Sequence, residues 1–136
     1  MAAYAGAFVI RDAVVKFAAV DYTNQCTRAR LVPDTPIQVQ RTLVPDGQVT
    51  DVDSTAWTLE LSGLQDWETG GLAAYLNTNK GTLVSVTIAP RKGVGKQQAV
   101  ISVRIMPPPF GGTQGEFAAF ELEMPCDGQP VITAQV

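Results

Sequence analysis

Leu83-Val84-Ser85-Val86-Thr87-Ile88-Ala89 decides the fold class. Val84, Val86 and Ile88 recur at every second residue with Ser85 and Thr87 between them, the period at which a strand turns alternate side chains to one face. Val100 to Met106 repeats the pattern, with Ala99, Ile101, Val103 and Ile105 opposite Ser102 and Arg104. Between the two runs lies Pro90-Arg91-Lys92-Gly93-Val94-Gly95-Lys96-Gln97, whose breakers make them a long-loop hairpin. Phe117 to Met124 alternates again, Phe120, Leu122 and Met124 against Glu121 and Glu123. The preceding stretch, Pro107-Pro108-Pro109-Phe110-Gly111-Gly112-Thr113-Gln114-Gly115, is neither helix nor central strand.

Working outward, residues 13–18, 28–32, 37–44 and 57–61 read as further strands, the last with Trp57, Leu59 and Leu61 on one face and Thr58 and Glu60 on the other. A helix is expected over residues 66–80: Leu72, Tyr75 and Leu76 fall at helical spacing, Asp66 is a candidate N-cap, and Gly81 closes the end. Gly70 and Gly71 each cost roughly 1 kcal/mol inside a helix, so it depends on packing its Leu/Tyr stripe against a sheet. The chain is mainly β, with eight or nine strands expected, one helix and no internal repeat.

Residues 36–53 fit a closed monomer poorly. They read as a hairpin about Pro45-Asp46-Gly47, with Ile37, Val39 and Leu43 on one face of the first arm and a half-polar, acidic second arm, Gln48-Val49-Thr50-Asp51-Val52-Asp53. Such arms project an apolar strip and unpaired backbone edges, and a second copy of the same chain is the economical cover. Ile37, Val39, Leu43, Pro45, Asp46, Gly47 and Val49 are therefore the expected subunit-interface residues.

Composition narrows the function. At 136 residues the chain is a single domain, residues 1–136, long enough to remove roughly two thirds of its surface from water without disulfides or metal. It has no histidine, which excludes histidine-based acid/base catalysis, the usual triads and Cys/His zinc sites. A net charge of −3 is the wrong sign for electrostatic gripping of nucleic acid. Cys26 and Cys126 lie far apart and form no CxxC pair, so buried free thiols are the expected state. Met1 to Ala7 lacks the basic segment of a secretory leader, and no apolar run reaches the roughly 18 residues of a membrane span, so an unprocessed, soluble, intracellular product with no membrane insertion is expected.

No motif carries catalysis. Gly93-Val94-Gly95-Lys96 lacks the earlier glycine and following Ser/Thr of a phosphate loop, having Pro90 and Gln97 there. Arg91, Lys92 and Lys96 read as a solvated turn or a rim contact. Asp51/Asp53 and Glu121/Glu123 have the i, i+2 spacing that puts two carboxylates on one strand face, but neither pair has a third ligand or a nucleophile beside it. Trp57 and Trp67 could stack a sugar, although Trp57 shares its face with core leucines. No catalytic, cofactor-binding or metal-binding residue is assigned, and the protein is expected not to be an enzyme.

At Trp57-Thr58-Leu59-Glu60-Leu61-Ser62-Gly63-Leu64-Gln65-Asp66-Trp67-Glu68, followed by Gly71-Leu72-Ala73-Ala74-Tyr75-Leu76, the chain resembles the tail tube (major tail) proteins of long-tailed bacteriophages. The Pro-Arg-Lys loop, Pro109-Phe110-Gly111-Gly112-Thr113-Gln114-Gly115-Glu116-Phe117, and Phe120-Glu121-Leu122-Glu123 leading to Gly128-Gln129-Pro130 follow in the family's order. The resemblance implies a β-sandwich or barrel-like body with a flanking helix and a projecting hairpin, assembled as hexameric rings with a continuous inner β-barrel. Stacked rings form the virion tube, assembled in the host cytoplasm, through which DNA passes without specific binding. Tape-measure and tail-end proteins are the further partners it implies. A lumen that weakly repels phosphate suits such a conduit, and Asp51, Asp53 and Glu60 are the candidate lumen-facing residues. Two other readings stay open: a monomeric carbohydrate- or protein-binding β-sandwich, and a tube or connector protein of a contractile injection machine.

Overall fold

The computed structural model describes residues 9–136; the leader-free reading of residues 1–7 lies outside them. The strands are β1 (Val14–Phe17), β2 (Val20–Asp21), β3 (Cys26–Asp34), β4 (Ile37–Arg41), β5 (Gln48–Val52), β6 (Ala56–Leu64), β7 (Leu83–Ala89), β8 (Gln97–Arg104) and β9 (Ala119–Ala134). One α-helix, α1 (Leu72–Thr78), and a 3-10 turn at Thr23–Gln25 complete the described elements. The body is a seven-stranded antiparallel sheet in the order β2-β1-β7-β8-β9-β6-β3, while β4 and β5 form a separate two-stranded ribbon.

The long strand β9 makes this sheet a sandwich. Residues 119–125 of β9 pair with β6, and residues 126–134 pair with β8. One strand thus belongs to two half-sheets, β2-β1-β7-β8 on one side and β6-β3 on the other, whose apolar faces meet. Phe17, Val86, Ile88, Ile101, Val103 and Ile105 from the first half share a single core with Leu59, Leu61, Phe120 and Met124 from the second. Leu72 and Leu76 of α1 close the same core. The alternation read from residues 83–89 and 57–61 is the direct cause: each inward side chain leaves water, at about 25 cal/mol per Å² of apolar surface.

The helix is shorter than the expected 66–80. Gly71 rather than Asp66 is its N-cap, at a position where a Cβ would collide with the Asp66 backbone. Asp66 instead folds its carboxylate onto the Glu68 amide at 3.1 Å. The amide of Leu72 is satisfied from outside the helix, donating to Gln25 Oε1 at 2.7 Å. No described helix is long and apolar enough to cross a membrane.

β9 is the longest departure from the sequence reading, which ends at Met124. Pro125 and Pro130 look like stops, yet the strand accommodates them. Val100 and Ser102 of β8 stand opposite Val131 and Asp127 of β9, so Gly128, Gln129 and Pro130 face the single residue Ile101 and form a bulge with two extra residues, Gly128 at φ +83°. A bulge leaves ladder positions unpaired, which is where proline fits.

Candidate assembly interface

The hairpin expected over residues 36–53 is the ribbon β4–β5, in register from Ile37 opposite Val52 to Arg41 opposite Gln48. All ten of its strand residues are exposed. Its pleat puts Ile37, Val39, Thr50 and Val52 on one face and Gln38, Gln40, Val49 and Asp51 on the other. Ile37, Val39 and Val52 are 70%, 55% and 62% exposed, an apolar strip with no cover among the described residues.

Two sequence expectations are corrected here, the face of Leu43 and the strand position of Asp53. Leu43 does not continue the Ile37/Val39 face, because β4 ends at Arg41; Thr42 N–H donates to Gly47 O at 3.1 Å, closing a turn that carries Leu43 and Val44 to the exposed tip. Val49 lies across from Gln40, on the face opposite Ile37 and Val39. Asp53 lies beyond the end of β5 and does not extend that strand's face with Asp51; its amide donates to Pro36 O and its carboxylate accepts from Ser54 N–H at 2.7 Å. Within the turn, Asp46 has φ +60° and Gly47 sits where a Cβ would strike Thr42 Oγ1. Pro45 is part of this turn, so Pro45, Asp46 and Gly47 shape the tip.

The ribbon is tied to the body at its base. Thr35 and Thr55 share a hydroxyl hydrogen bond of 2.6 Å, and Gln129 Nε2 donates to Thr55 O at 2.8 Å. Gln129 Oε1 in turn accepts from Trp57 Nε1 at 2.7 Å. The bulge in β9 therefore supplies the residue that anchors the hairpin, a role no short-range sequence pattern announces. Trp67 belongs elsewhere: its ring lies 4.9 Å from that of Phe110, and no ring contact joins Trp57 and Trp67 among the described residues.

Glu60 projects from the outward face of the half-sheet β9-β6-β3. Its carboxylate accepts from Arg28 Nη2 at 2.8 Å and also pairs with Arg30 Nε. The hydrogen bond from Arg30 holds the Glu60 carboxyl below its ordinary range, with the nearby charges of Arg30 and Arg28 acting in the same direction. Glu121 and Glu123 lie on this face too, opposite Ser62 and Glu60. The candidate lumen residues are thus divided: Glu60 sits on the sheet within an arginine pair, whereas Asp51 and Asp53 belong to the hairpin and its base.

An apolar cleft of about 640 Å³ opens at the end of the sandwich, lined by Val15, Ala29, Leu31, Ile88, Ala99 and Ile132 among others. Cys26 borders it; burial pushes its thiol up to about 12, and both cysteines are free. The loop after β7 holds its glycines at φ +145° (Gly93) and +85° (Gly95) and leads into a strand, not a helix. No three histidine, cysteine, aspartate or glutamate residues converge as a metal site among the described residues.

Neither a family model nor a curated protein sequence matches this chain. A solved structure shares its fold. The chain superposes on one from the virion of a native gene transfer agent (GTA) particle with a TM-score of 0.68, covering 94% of this chain and 100% of that one. At 17% identity the likeness is one of fold. What the two share is the mainly β architecture with antiparallel sheets.

Proposed function

We infer that this chain is a structural virion protein whose copies assemble into hexameric rings, stacked as the tail tube of a phage or phage-like particle. The observation that carries the reading is the β4–β5 ribbon: a tethered, wholly exposed hairpin with the apolar strip Ile37, Val39 and Val52. An isolated chain gains nothing from that strip, whereas a neighbouring copy buries it. The fold of the gene transfer agent virion chain supports the same reading, as does the sequence resemblance to tail tube proteins.

In this role the protein binds no cofactor and catalyses nothing; it provides a conduit for DNA on its way into the host. The chain's −3 charge suits a passage that must not retain phosphate, since a basic lining would gain affinity by counterion release. Glu60, Asp51 and Asp53 contribute to such a lining in this reading. Tape-measure and tail-end proteins are the remaining partners, and assembly takes place in the host cytoplasm.

The apolar cleft supports a second reading, a monomeric binding module. Negative-stain microscopy of the purified chain across a concentration series decides between them. Rings and tubes of uniform width are expected; a chain that stays monomeric at high concentration and after seeding overturns the tube.

A further inference from the structure

The half-sheet β9-β6-β3 has two open edges. β3 pairs with β6 alone, and residues 119–125 of β9 also pair with β6 alone, leaving no described strand on the outer side of either. β3 and this part of β9 both run antiparallel to β6 and therefore parallel to each other.

Charge is sorted across this face in two rows. Arg28, Ser62 and Glu121 form one, and Arg30, Glu60 and Glu123 the next. Cations occupy the β3 edge and carboxylates the β9 edge. Both arginines are used by Glu60, yet each remains largely exposed, with side chains 48% and 60% accessible. Glu121 and Glu123 make no ion pair among the described residues, and Glu123 stands directly opposite Glu60, a like-charge arrangement that disfavours an isolated sheet. A shallow hollow over Ser62, bordered by Arg28 and Glu121, leaves room at the end of the first row.

We propose that the β3 edge of one copy meets the β9 edge of a second copy, with Arg28 and Arg30 facing Glu121 and Glu123 across the boundary. The inference rests on the tube reading and adds the residues that set the order of subunits around the ring. The rows run in the same sense on both strands, so a parallel approach aligns both pairs at once. Each copy offers one cationic and one anionic edge, a head-to-tail contact that closes into a ring and rejects the head-to-head alternative by repulsion. Because it is the Arg-bearing edge that meets carboxylates, Glu123, which stands opposite Glu60 with no ion pair among the described residues, gains a cationic partner in the assembly.

Charge reversal tests it. One variant is Arg28→Glu/Arg30→Glu/Glu60→Gln, the last change removing the carboxylate that the reversed charges would repel; the other is Glu121→Arg/Glu123→Arg. Each alone is expected to need at least about tenfold more protein than wild type to form rings in negative stain. An equimolar mixture regains assembly, because every boundary between the two variants again joins opposite charges. Circular dichroism and thermal melts verify folding. If the triple variant does not fold, Glu121→Gln/Glu123→Gln is compared with the reversal; the reversal is expected to be the worse, and equal assembly overturns the pairing. Wild-type rings together with undisturbed variant assembly, or a mixture of folded variants that stays monomeric, overturns the pairing while leaving the tube. A wild-type chain that never assembles removes both.

Discussion

Trp57 donates its indole N–H to Gln129 Oε1 across 2.7 Å, joining residues 72 positions apart at the foot of the hairpin. Gln129 also donates to Thr55 O, so one amide clamps both the body strand and the chain leaving the ribbon. Gln129→Ala removes both bonds at a solvent-exposed position, where the net loss is about 0.5–1 kcal/mol. The urea midpoint should move little, while limited proteolysis within residues 35–55 speeds up several-fold. Unchanged cleavage there would show that the Thr35–Thr55 bond holds the ribbon without it.

Ile37→Asp/Val39→Asp places two charges on the exposed strip. Both side chains are already in water, so the melting temperature should stay close to wild type, with stability changed by no more than about 0.5 kcal/mol per site. Assembly into rings should be lost. Loss of the fold instead would mean that these residues serve the body's core.

The sandwich was legible wherever one face of a strand is buried and the other wet. Val86, Ile88, Ile101, Val103, Leu59 and Leu61 all lie in the core that their alternation implies. The same logic loses its hold on the ribbon, where both faces are exposed and only local turn chemistry fixes the register. Thr42 closing onto Gly47 moved Leu43 off its expected face for that reason. β9 runs past its expected end because a bulge that houses Pro130 depends on pairing with β8, not on neighbours in sequence, where proline normally ends a strand. Gln129 and the Arg28/Arg30 edge were hidden for a related cause: their partners are distant in the chain and appear only once the strands are ordered.

Leu59 and Leu43 give a direct test of core against surface. Leu59 is 0% exposed at the centre of β6, packed within the shared core. Leu59→Ala should cost about 2–5 kcal/mol in urea unfolding, through lost transfer free energy and the cavity left behind. Leu43→Ala, at the fully exposed hairpin tip, should leave the midpoint unchanged.

Acid stability follows from Glu60 and Asp21. Glu60 is held below its usual value chiefly by the hydrogen bond from Arg30, and Asp21 chiefly by hydrogen bonds from Thr23. A carboxylate with a depressed folded value adds stability that is present above the unfolded values, 4.5 and 3.8, and disappears as pH falls through the folded ones. The urea midpoint should therefore be flat with respect to these groups above about pH 5 and decline below it. Glu60→Gln should make that decline shallower; an identical acid profile would show that the arginine pair has no energetic role in the monomer.

The two half-buried thiols should be poorly reactive at neutral pH. Burial raises Cys26 to about 12, so almost none of it is thiolate near pH 8, and burial moves Cys126 in the same direction. Native protein should react with a thiol-specific disulfide reagent far more slowly than the chain in denaturant, where both titrate rapidly. The sign of the linkage is opposite to that of Glu60: a raised thiol value adds stability below the unfolded value of 9.0 that is lost as pH climbs toward the folded one. Cys26→Ser should flatten the alkaline decline. Fast native labelling of Cys26 would instead mean that the apolar cleft beside it opens to solvent.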